Sequence, residues 1–190
     1  MKGSVLLAPI ANRLEGKVAL ITGGATGIGE SSARPFTKHG AKVVIADVQD
    51  ELGHSVCEDI SCKEAVSHVH CDVTDEADVQ KAVDDTVSKY SKLDIMFSNA
   101  RVIGNRDARI STLDYENFKS VFHINVYGAI SAGKHASRVM IPEKKKGSII
   151  YTASVSSVIA GDVPHAYVAS NPAIVGQTKN QCVELGQHKS

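Results

Sequence analysis

Short runs of apolar residues alternate along the chain with longer stretches in which apolar residues recur at a helical period. Five apolar runs predict β-strands, at residues 17–22, 41–47, 65–72, 92–98 and 147–154. Most are nearly continuous in apolar residues, as is typical of strands covered on both faces. The stretches between them predict helices, at residues 27–39, 49–60, 75–90, 115–140 and 165–186. This alternation predicts a three-layer α/β fold, a Rossmann-type doubly wound parallel sheet with right-handed crossovers.

The length and the charge balance restrict the organisation and the partners of the chain. Its 190 residues suit one domain. We interpret residues 14–190 as a single nucleotide-binding domain and residues 1–13 as an N-terminal arm, because Pro9 interrupts the only apolar stretch of that segment. The 21 basic and 21 acidic residues cancel, which argues against nucleic acid and anionic membranes as partners. With no apolar run of the ~20 residues that span a bilayer, we expect a cytoplasmic protein.

The cysteines and histidines do not form a recognisable metal-binding pattern. Cys57, Cys62, Cys71 and Cys182 show no CxxC spacing, and we interpret them as reduced thiols. His68 and His70 precede Cys71 on a predicted strand, which raises the question of zinc. No second pair of ligands at a typical spacing completes such a site, so we predict no metal.

The loop after the first predicted strand is the strongest local signal for a ligand. Ligands of doubly wound sheets bind beyond the carboxyl ends of the strands. There the sequence reads Thr22-Gly23-Gly24-Ala25-Thr26-Gly27-Ile28-Gly29 and continues into a helix. Glycines at such a junction permit a tight turn and let backbone N–H groups approach a pyrophosphate. The context of strand, glycine loop and helix therefore predicts dinucleotide binding.

Asp47 ends the second predicted strand, about 20 residues after the loop, where a carboxylate accepts hydrogen bonds from the adenosine ribose. No arginine or lysine stands beside it to neutralise a 2′-phosphate. This arrangement favours NAD over NADP as the cofactor. A solvated strand end is the alternative interpretation of Asp47.

The spacing of the glycines, TGxxxGxG, resembles that of the short-chain dehydrogenase/reductase family, and further motifs follow in order. Cys71-Asp72-Val73 and Ser98-Asn99-Ala100-Arg101 resemble two cofactor-contacting segments of that family. Asn125 lies in HINVYGA, and Ser154 precedes Tyr167 by 13 residues, the family spacing of the catalytic serine and tyrosine. The resemblance extends over residues 13–188. The amino-acid sequences of several segments are similar to those of plant members of the family that act in secondary metabolism.

The resemblance implies a set of functional residues. Cofactor-binding positions would be Gly23, Thr26, Gly27, Ile28, Gly29, Asp47, Asp72, Val73, Asn99, Ala100 and Tyr167. Catalytic positions would be Asn125, Ser154, Tyr167 and Asn171. Tyr167 would exchange a proton with the substrate oxygen, Ser154 would hydrogen-bond that oxygen, and Asn125 would hold a water molecule. The substrate would be a secondary alcohol or ketone of a small hydrophobic metabolite.

Three substitutions depart from the family pattern near the predicted active site. Asn171 stands where the family has a lysine, so the cation that helps a tyrosine to ionise near neutral pH is missing from that position. Pro172 disfavours the α conformation at Asn171, which puts the helical spacing of 167 and 171 in question. Arg101 replaces a glycine, and its side chain either obstructs the site or points outward.

Two further departures concern stability. Pro35 falls inside the first predicted helix, where a kink costs ~3 kcal/mol. Relatives continue beyond the position of Ser190 into another strand and a substrate-covering lobe, so we expect a sheet without its last strand or strands and without that lobe. Exposed apolar surface would follow from their absence.

These features leave three interpretations. The first is an NAD-dependent oxidoreductase with weak or absent activity. The second is a non-catalytic dinucleotide-binding or interaction subunit, forming homo-oligomers or pairing with full-length relatives through the last helices. The third is a chain that does not fold stably.

Overall fold

The computed structural model describes residues 12–60, 64–142, 147–159 and 161–188. Its strands are β1 (Val18–Thr22), β2 (Lys42–Asp47), β3 (Val66–His70), β4 (Ile95–Ser98) and β5 (Ser148–Tyr151). Its α-helices are α1 (Gly27–Lys38), α2 (Asp50–Asp59), α3 (Glu76–Tyr90), α4 (Tyr115–Phe122), α5 (Gly128–Met140) and α6 (His165–Leu185). Most of the predicted N-terminal arm, residues 1–11, lies outside the described residues, as does Cys62.

The five strands form one parallel sheet in the order β3-β2-β1-β4-β5. Each strand of the inner three is nearly continuous in buried residues, and alternate residues face opposite layers. Leu20 packs with α3 and α5 on one face, while Ala19 and Ile21 pack with α1 and α2 on the other. The predicted three-layer, doubly wound architecture is therefore confirmed. The order reverses between β1 and β4, and at such a point the connecting loops diverge and leave a crevice.

The predicted helix at 115–140 is wrong in one respect, because it is interrupted. A π-helical turn at His123–Tyr127 separates α4 from α5. Such turns occur frequently at functional sites, and an amphipathic pattern does not distinguish them from a regular helix. Two short 3₁₀ helices, Ile110–Thr112 and Val155–Ser157, complete the described elements.

The expectation that proline disturbs the helices at 35 and 172 is not met, since α1 and α6 continue through Pro35 and Pro172. Pro172 has no N–H to donate to the carbonyl of Val168, one turn before it, yet α6 is continuous through this position. In the same turn, the hydroxyl of Ser170 and the amide of Asn171 both donate to the carbonyl of Tyr167, at 2.8 Å each. Residues 167 and 171 therefore remain one turn apart.

The lengths and compositions of the described helices also bear on membrane insertion. None of these helices is both long and apolar enough to cross a bilayer.

Candidate active site

A groove of about 420 Å³ lies at the carboxyl ends of the strands, where the order of the sheet reverses. Every predicted cofactor-binding residue except Gly29 lines it: Gly23, Thr26, Gly27, Ile28, Asp47, Asp72, Val73, Asn99, Ala100 and Tyr167. Residues from five separate segments of the chain therefore meet in one groove. The lining also includes Arg101, Val102, Ile103, Ile124 and Thr152, for which the sequence pattern predicted no role in binding.

The glycine loop requires glycine at three positions. Gly23 and Gly27 adopt φ values of +63° and +56°, which other L-residues rarely adopt. A Cβ at Gly23 would stand 2.7 Å from the Cα of Ala100, and one at Gly29 would overlap the carbonyl oxygen of Gly23. Gly29 is absent from the lining because it packs beneath the loop. It acts by allowing α1 to approach β1.

The amino end of α1 opens into this groove. Thr26 caps the helix without a side-chain hydrogen bond, so the first N–H groups of α1 are not used by a capping oxygen. A Cβ built on Gly27 would meet no atom within 4 Å, which shows that the backbone borders open space here. Unused N–H groups and the helix dipole together favour an anionic group such as a phosphate.

Asp47 lies at the end of β2 with its carboxylate turned toward the glycine loop. It is 5% exposed, and its oxygens accept hydrogen bonds from the backbone N–H groups of Ala25 and Gln49, at 3.0 Å each. These bonds fix a negative charge at this end of the groove. They also favour a carboxylate held in one position over the alternative interpretation of Asp47 as a solvated strand end.

Two other groove residues near this end are also held by the chain itself. The Asp72 carboxylate accepts from the backbone and hydroxyl of Thr74, at 2.9 and 2.8 Å. Burial raises the pKa of the neighbouring Cys71 thiol to about 12, so this cysteine stays protonated and is not a nucleophile at neutral pH.

Asn99 connects three strands rather than presenting a free amide to the groove. Its Nδ2 donates to the carbonyl of Gly23 at 3.1 Å, and its Oδ1 accepts from the hydroxyl of Thr152 at 2.9 Å. The hydroxyl of Thr22 accepts from the backbone N–H groups of Asn99 and Ala100. Asn99 therefore fixes the ends of β1, β4 and β5 relative to one another.

Asn125 lies in the π turn and is 2% exposed. Its amide binds both backbone groups of Val102, accepting from the N–H and donating to the carbonyl, at 2.9 Å each. It also donates to the hydroxyl of Ser170 at 3.1 Å. Its side chain thus joins the loop after β4 to α6. The water-holding role implied by the resemblance stays a prediction.

Tyr167 and Asn171 lie on α6, but only Tyr167 reaches the groove. Asn171 is fully buried, and its side chain is used within the protein. Its Nδ2 donates to the hydroxyl of Ser156 at 3.1 Å and to the carbonyl of Tyr167, while its Oδ1 accepts from Arg101 at 2.6 Å. The predicted catalytic position 171 is therefore a buried connector and is absent from the groove lining.

Ser154 caps the 3₁₀ helix that follows β5. Its Oγ accepts from the backbone N–H of Ser156 at 3.3 Å. Among the described residues no hydrogen bond joins Ser154 to Tyr167, and Ser154 is absent from the groove lining that includes Tyr167. The catalytic role of Ser154 stays a prediction.

Arg101 resolves the two alternatives left by the sequence, because its side chain points into the groove. Its guanidinium donates to the carbonyl of Thr152 and to Asn171, and its Cζ lies 5.5 Å from the centre of the Tyr167 ring. Among the described residues that line the groove, Arg101 is the only cation. A residue that replaces a family glycine is the sequence signal for this contact, but its direction depends on the tertiary structure.

Comparisons with known proteins agree with this geometry. The family of short chain dehydrogenases matches residues 17–189. Short chain aldehyde dehydrogenase 1 of Euphorbia lathyris is 57% identical over 188 residues, covering 99% of this chain and 65% of that protein. Secoisolariciresinol dehydrogenase of Forsythia intermedia is 56% identical over 184 residues, covering 97% of this chain and 66% of that protein. The chain thus spans slightly less than two thirds of the length of these relatives.

The structural comparison leads to the same family. An NAD⁺-bound xylitol dehydrogenase superposes with a TM-score of 0.86 at 30% identity, over 93% of this chain and 68% of that one. Fold, motifs and sequence identity agree, and the chain belongs to the short-chain dehydrogenase/reductase family of oxidoreductases.

Proposed function

We propose that the chain binds NAD in the groove and transfers hydrogen between this cofactor and a secondary alcohol or ketone of a small hydrophobic metabolite. One observation carries the proposal: the phenol-bearing Tyr167 lines the same groove as the glycine loop and the carboxylate of Asp47. An acid/base group and a dinucleotide cradle thus share one site.

The preference for NAD rests on the charges around the adenosine end of the groove. The Asp47 carboxylate is fixed there by two backbone N–H groups. A 2′-phosphate would bring its negative charge against this carboxylate. Among the described lining residues, only Arg101 carries a positive charge, and it lies at the Tyr167 end. The solved relative that binds NAD⁺ supports the same choice.

The residues of the chain account for the proton half of the reaction. In the oxidation of an alcohol, the phenolate oxygen of Tyr167 takes the hydroxyl proton and becomes a phenol, and in reduction it returns that proton. The nicotinamide, when bound, supplies the acceptor for the hydrogen and electron pair that leave the carbinol carbon. Val102, Ile103 and Ile124 give this part of the groove an apolar wall suited to a hydrophobic metabolite.

We expect turnover to be slow, for two reasons. Ser154 is not hydrogen-bonded to Tyr167, so the phenol is oriented less strictly than in a pair that shares a hydrogen bond. Asn171 is neutral and held by other residues, so any charge that assists the phenol must come from another position. Transition-state positioning of the substrate oxygen then depends on fewer groups. The proposal is therefore a weak enzyme with an intact cofactor site.

The test is an initial-rate assay with cyclic and aromatic secondary alcohols, using NAD or NADP and following absorbance of the reduced cofactor. We expect a slow rate with NAD that Tyr167→Phe abolishes. Tyr115→Phe is the matched control, because Tyr115 is 72% exposed and lies outside the groove. If no alcohol supports turnover, or if Tyr167→Phe is as active as the wild type, the catalytic proposal is wrong.

A second candidate function, that of an interaction subunit, is favoured by exposed apolar side chains on the helices. Tyr115, Ile130 and Val183, on α4, α5 and α6, are 72%, 46% and 70% exposed. Such side chains suit an interface with a second copy or with a longer relative. Light scattering tests it: a dimer that dissociates in Val183→Glu supports this function, and a monomer at all concentrations rejects self-association.

A further inference from the structure

The position of Arg101 is fixed by the backbone on both sides of it. Before it, the N–H groups of Asn99 and Ala100 are held by the hydroxyl of Thr22, at 3.0 and 3.1 Å. After it, both backbone groups of Val102 are held by the side chain of Asn125. Because these bonds leave the backbone little freedom, the direction of the Arg101 side chain is built into the fold.

The guanidinium of Arg101 is a half-buried cation whose polar partners are neutral. It donates to the carbonyl of Thr152 and to the Oδ1 of Asn171, and among the described residues it forms no ion pair with a carboxylate. Its Nε is buried without a partner in the described part of the chain. A cation withdrawn from water in this way is costly unless a negative charge lies nearby.

The one ionisable neighbour that acts on this cation is Tyr167. Burial lowers the pKa of Arg101, and the charge of an ionised Tyr167 opposes that shift. Ionisable groups on the surrounding described elements include His123 and Tyr127 in the π turn, Tyr151 in β5, His165 and Lys179 on α6, and Asp47, Cys71 and Asp72 in the groove lining. None of these contributes to the shift of the Arg101 pKa. Arg101 and Tyr167 therefore form an isolated pair of cation and phenol.

We propose that Arg101 is a catalytic residue, whose guanidinium stabilises the ionised phenol of Tyr167 and the charge on the substrate oxygen during proton transfer. This inference rests on the proposed function and names the group that supplies the positive charge missing at position 171. Asn171 then has a different role, because it fixes the guanidinium by accepting from it at 2.6 Å while its own amide is tied to Ser156 and Tyr167. Asn171 is a positioning residue for Arg101.

The proton balance of the step involves only Tyr167 and the substrate. The phenolate accepts the proton of the alcohol as the carbon–oxygen bond gains double-bond character, and Arg101 keeps all of its protons throughout. A guanidinium suits this role because its ordinary pKa lies far above the pH of the reaction, so it keeps its charge during proton transfer. It also lies against the ring face, where cations interact favourably with aromatic systems.

The rival explanation is that Arg101 merely fills the groove in place of a cofactor or substrate. Under that explanation, removing the side chain improves binding and turnover. The two explanations predict opposite effects for Arg101→Met, which removes the charge and retains most of the length of the side chain. Arg101→Lys keeps the charge and loses the planar fork.

The first experiment needs neither cofactor nor substrate. The ionisation of Tyr167 is followed through the tyrosinate absorbance between about pH 8 and pH 11. For each protein, the titration curve of the same protein carrying Tyr167→Phe is subtracted, and the difference reports Tyr167 alone. Burial raises the pKa of Tyr151 to about 12 and also raises that of Tyr127, so these two tyrosines contribute little to the absorbance change in this pH range. We expect the midpoint in Arg101→Met to lie about one pH unit or more above that of the wild type, with Arg101→Lys in between. Arg109→Met is the control, because Arg109 is exposed and forms an ion pair with Asp107. This substitution should leave the midpoint unchanged.

The second experiment measures kcat/KM against pH with NAD and the best alcohol of the assay above. We expect Arg101→Met to lose about 100-fold near neutral pH, with a loss that shrinks as the pH rises. An unchanged phenol midpoint, or a rise in kcat/KM, would overturn the role of Arg101. A shifted midpoint in a protein without turnover would support the electrostatic pair and reject the proposed function, so the two failures are distinguishable.

Discussion

The two ends of the groove are built by different means. At the proposed adenosine end, the glycine loop and Asp47 act through backbone conformation and through hydrogen bonds that backbone N–H groups donate to the carboxylate. At the Tyr167 end, side chains far apart in sequence hold one another: Arg101 contacts Asn171 across 70 residues, and Asn125 contacts Ser170 across 45. The first end agrees with the motif that the resemblance implies. The second departs from the implied motif at positions 101 and 171 together.

This difference shows that the two departures are coupled. Asn171 accepts a hydrogen bond from Arg101, so a neutral residue at 171 and a cation at 101 form one arrangement. Taken singly, each substitution looks like damage to a catalytic site. Taken together, they leave one positive charge near the phenol, that of Arg101 in the loop after β4, whose Cζ lies 5.5 Å from the centre of the Tyr167 ring.

The largest expected effect tests this coupling. Asn171→Lys places a second cation at a fully buried position beside Arg101, and we expect a loss of about 3–5 kcal/mol in the free energy of unfolding. The double variant Arg101→Gly/Asn171→Lys, which restores the family pair, should recover most of this loss. Urea unfolding of the four proteins in the cycle measures the coupling energy. Additive effects would show that positions 101 and 171 are independent.

A substitution in the glycine loop tests the other end of the groove. In Gly29→Ala the new Cβ overlaps the carbonyl of Gly23, and we expect a loss of about 1–3 kcal/mol of stability together with weaker NAD binding. Gly176→Ala is the matched control in α6, where a Cβ meets no atom within 4 Å. This helix-interior change should stabilise the protein by about 0.5–1 kcal/mol. Equal outcomes for the two variants would contradict the close packing of the loop.

Asp47→Asn tests the charge at the adenosine end. We expect NAD affinity to fall about tenfold, which corresponds to about 1.4 kcal/mol, because a charged acceptor is lost. Affinity for NADP should fall less or rise, since the repulsion of the 2′-phosphate disappears. Fluorescence titration with both nucleotides measures the ratio. An unchanged ratio of the affinities for NAD and NADP would show that Asp47 does not determine the cofactor preference.

The smallest effect concerns Asp94, which lies at the amino ends of β1 and β4, away from the carboxyl ends that line the groove. Burial raises the pKa of this carboxyl, but the hydrogen bonds from Lys92 and the Val18 N–H, with the charges of Lys92 and Lys17, outweigh burial and lower it overall. A lowered folded pKa stabilises the protein above the unfolded value of about 4, and this stability is lost as the pH falls through the folded pKa.

We therefore expect Asp94→Asn to cost about 1 kcal/mol near pH 7. The difference from the wild type should shrink below about pH 4. Thermal melts from pH 3 to pH 7 measure this difference. A difference that stays constant with pH would contradict the role of the ionised carboxylate.

The sequence was sufficient for the parts of the molecule that local pattern determines. The inner strands β2, β1 and β4 are mostly buried and the glycine loop follows β1 directly, so apolar runs and glycine spacing predicted the sheet and the loop that lines one end of the groove. The π turn was not predicted, because the helical period of apolar positions in residues 115–140 shows no interruption around Asn125. The direction of Arg101 and the burial of Asn171 also escaped prediction, because both depend on contacts among β5, α6 and the loop after β4 that sequence separation conceals.

The most direct test of the account is the thermal unfolding of the wild type with and without NAD, with NADP as the comparison. A single cooperative transition would also exclude a chain that does not fold stably. Ligand at 100 times its dissociation constant adds about 2.7 kcal/mol, so we predict that NAD raises Tm by roughly 5–10 °C and that NADP at the same concentration raises it less. A cooperative transition that neither nucleotide moves would contradict the assignment of the groove as an NAD site.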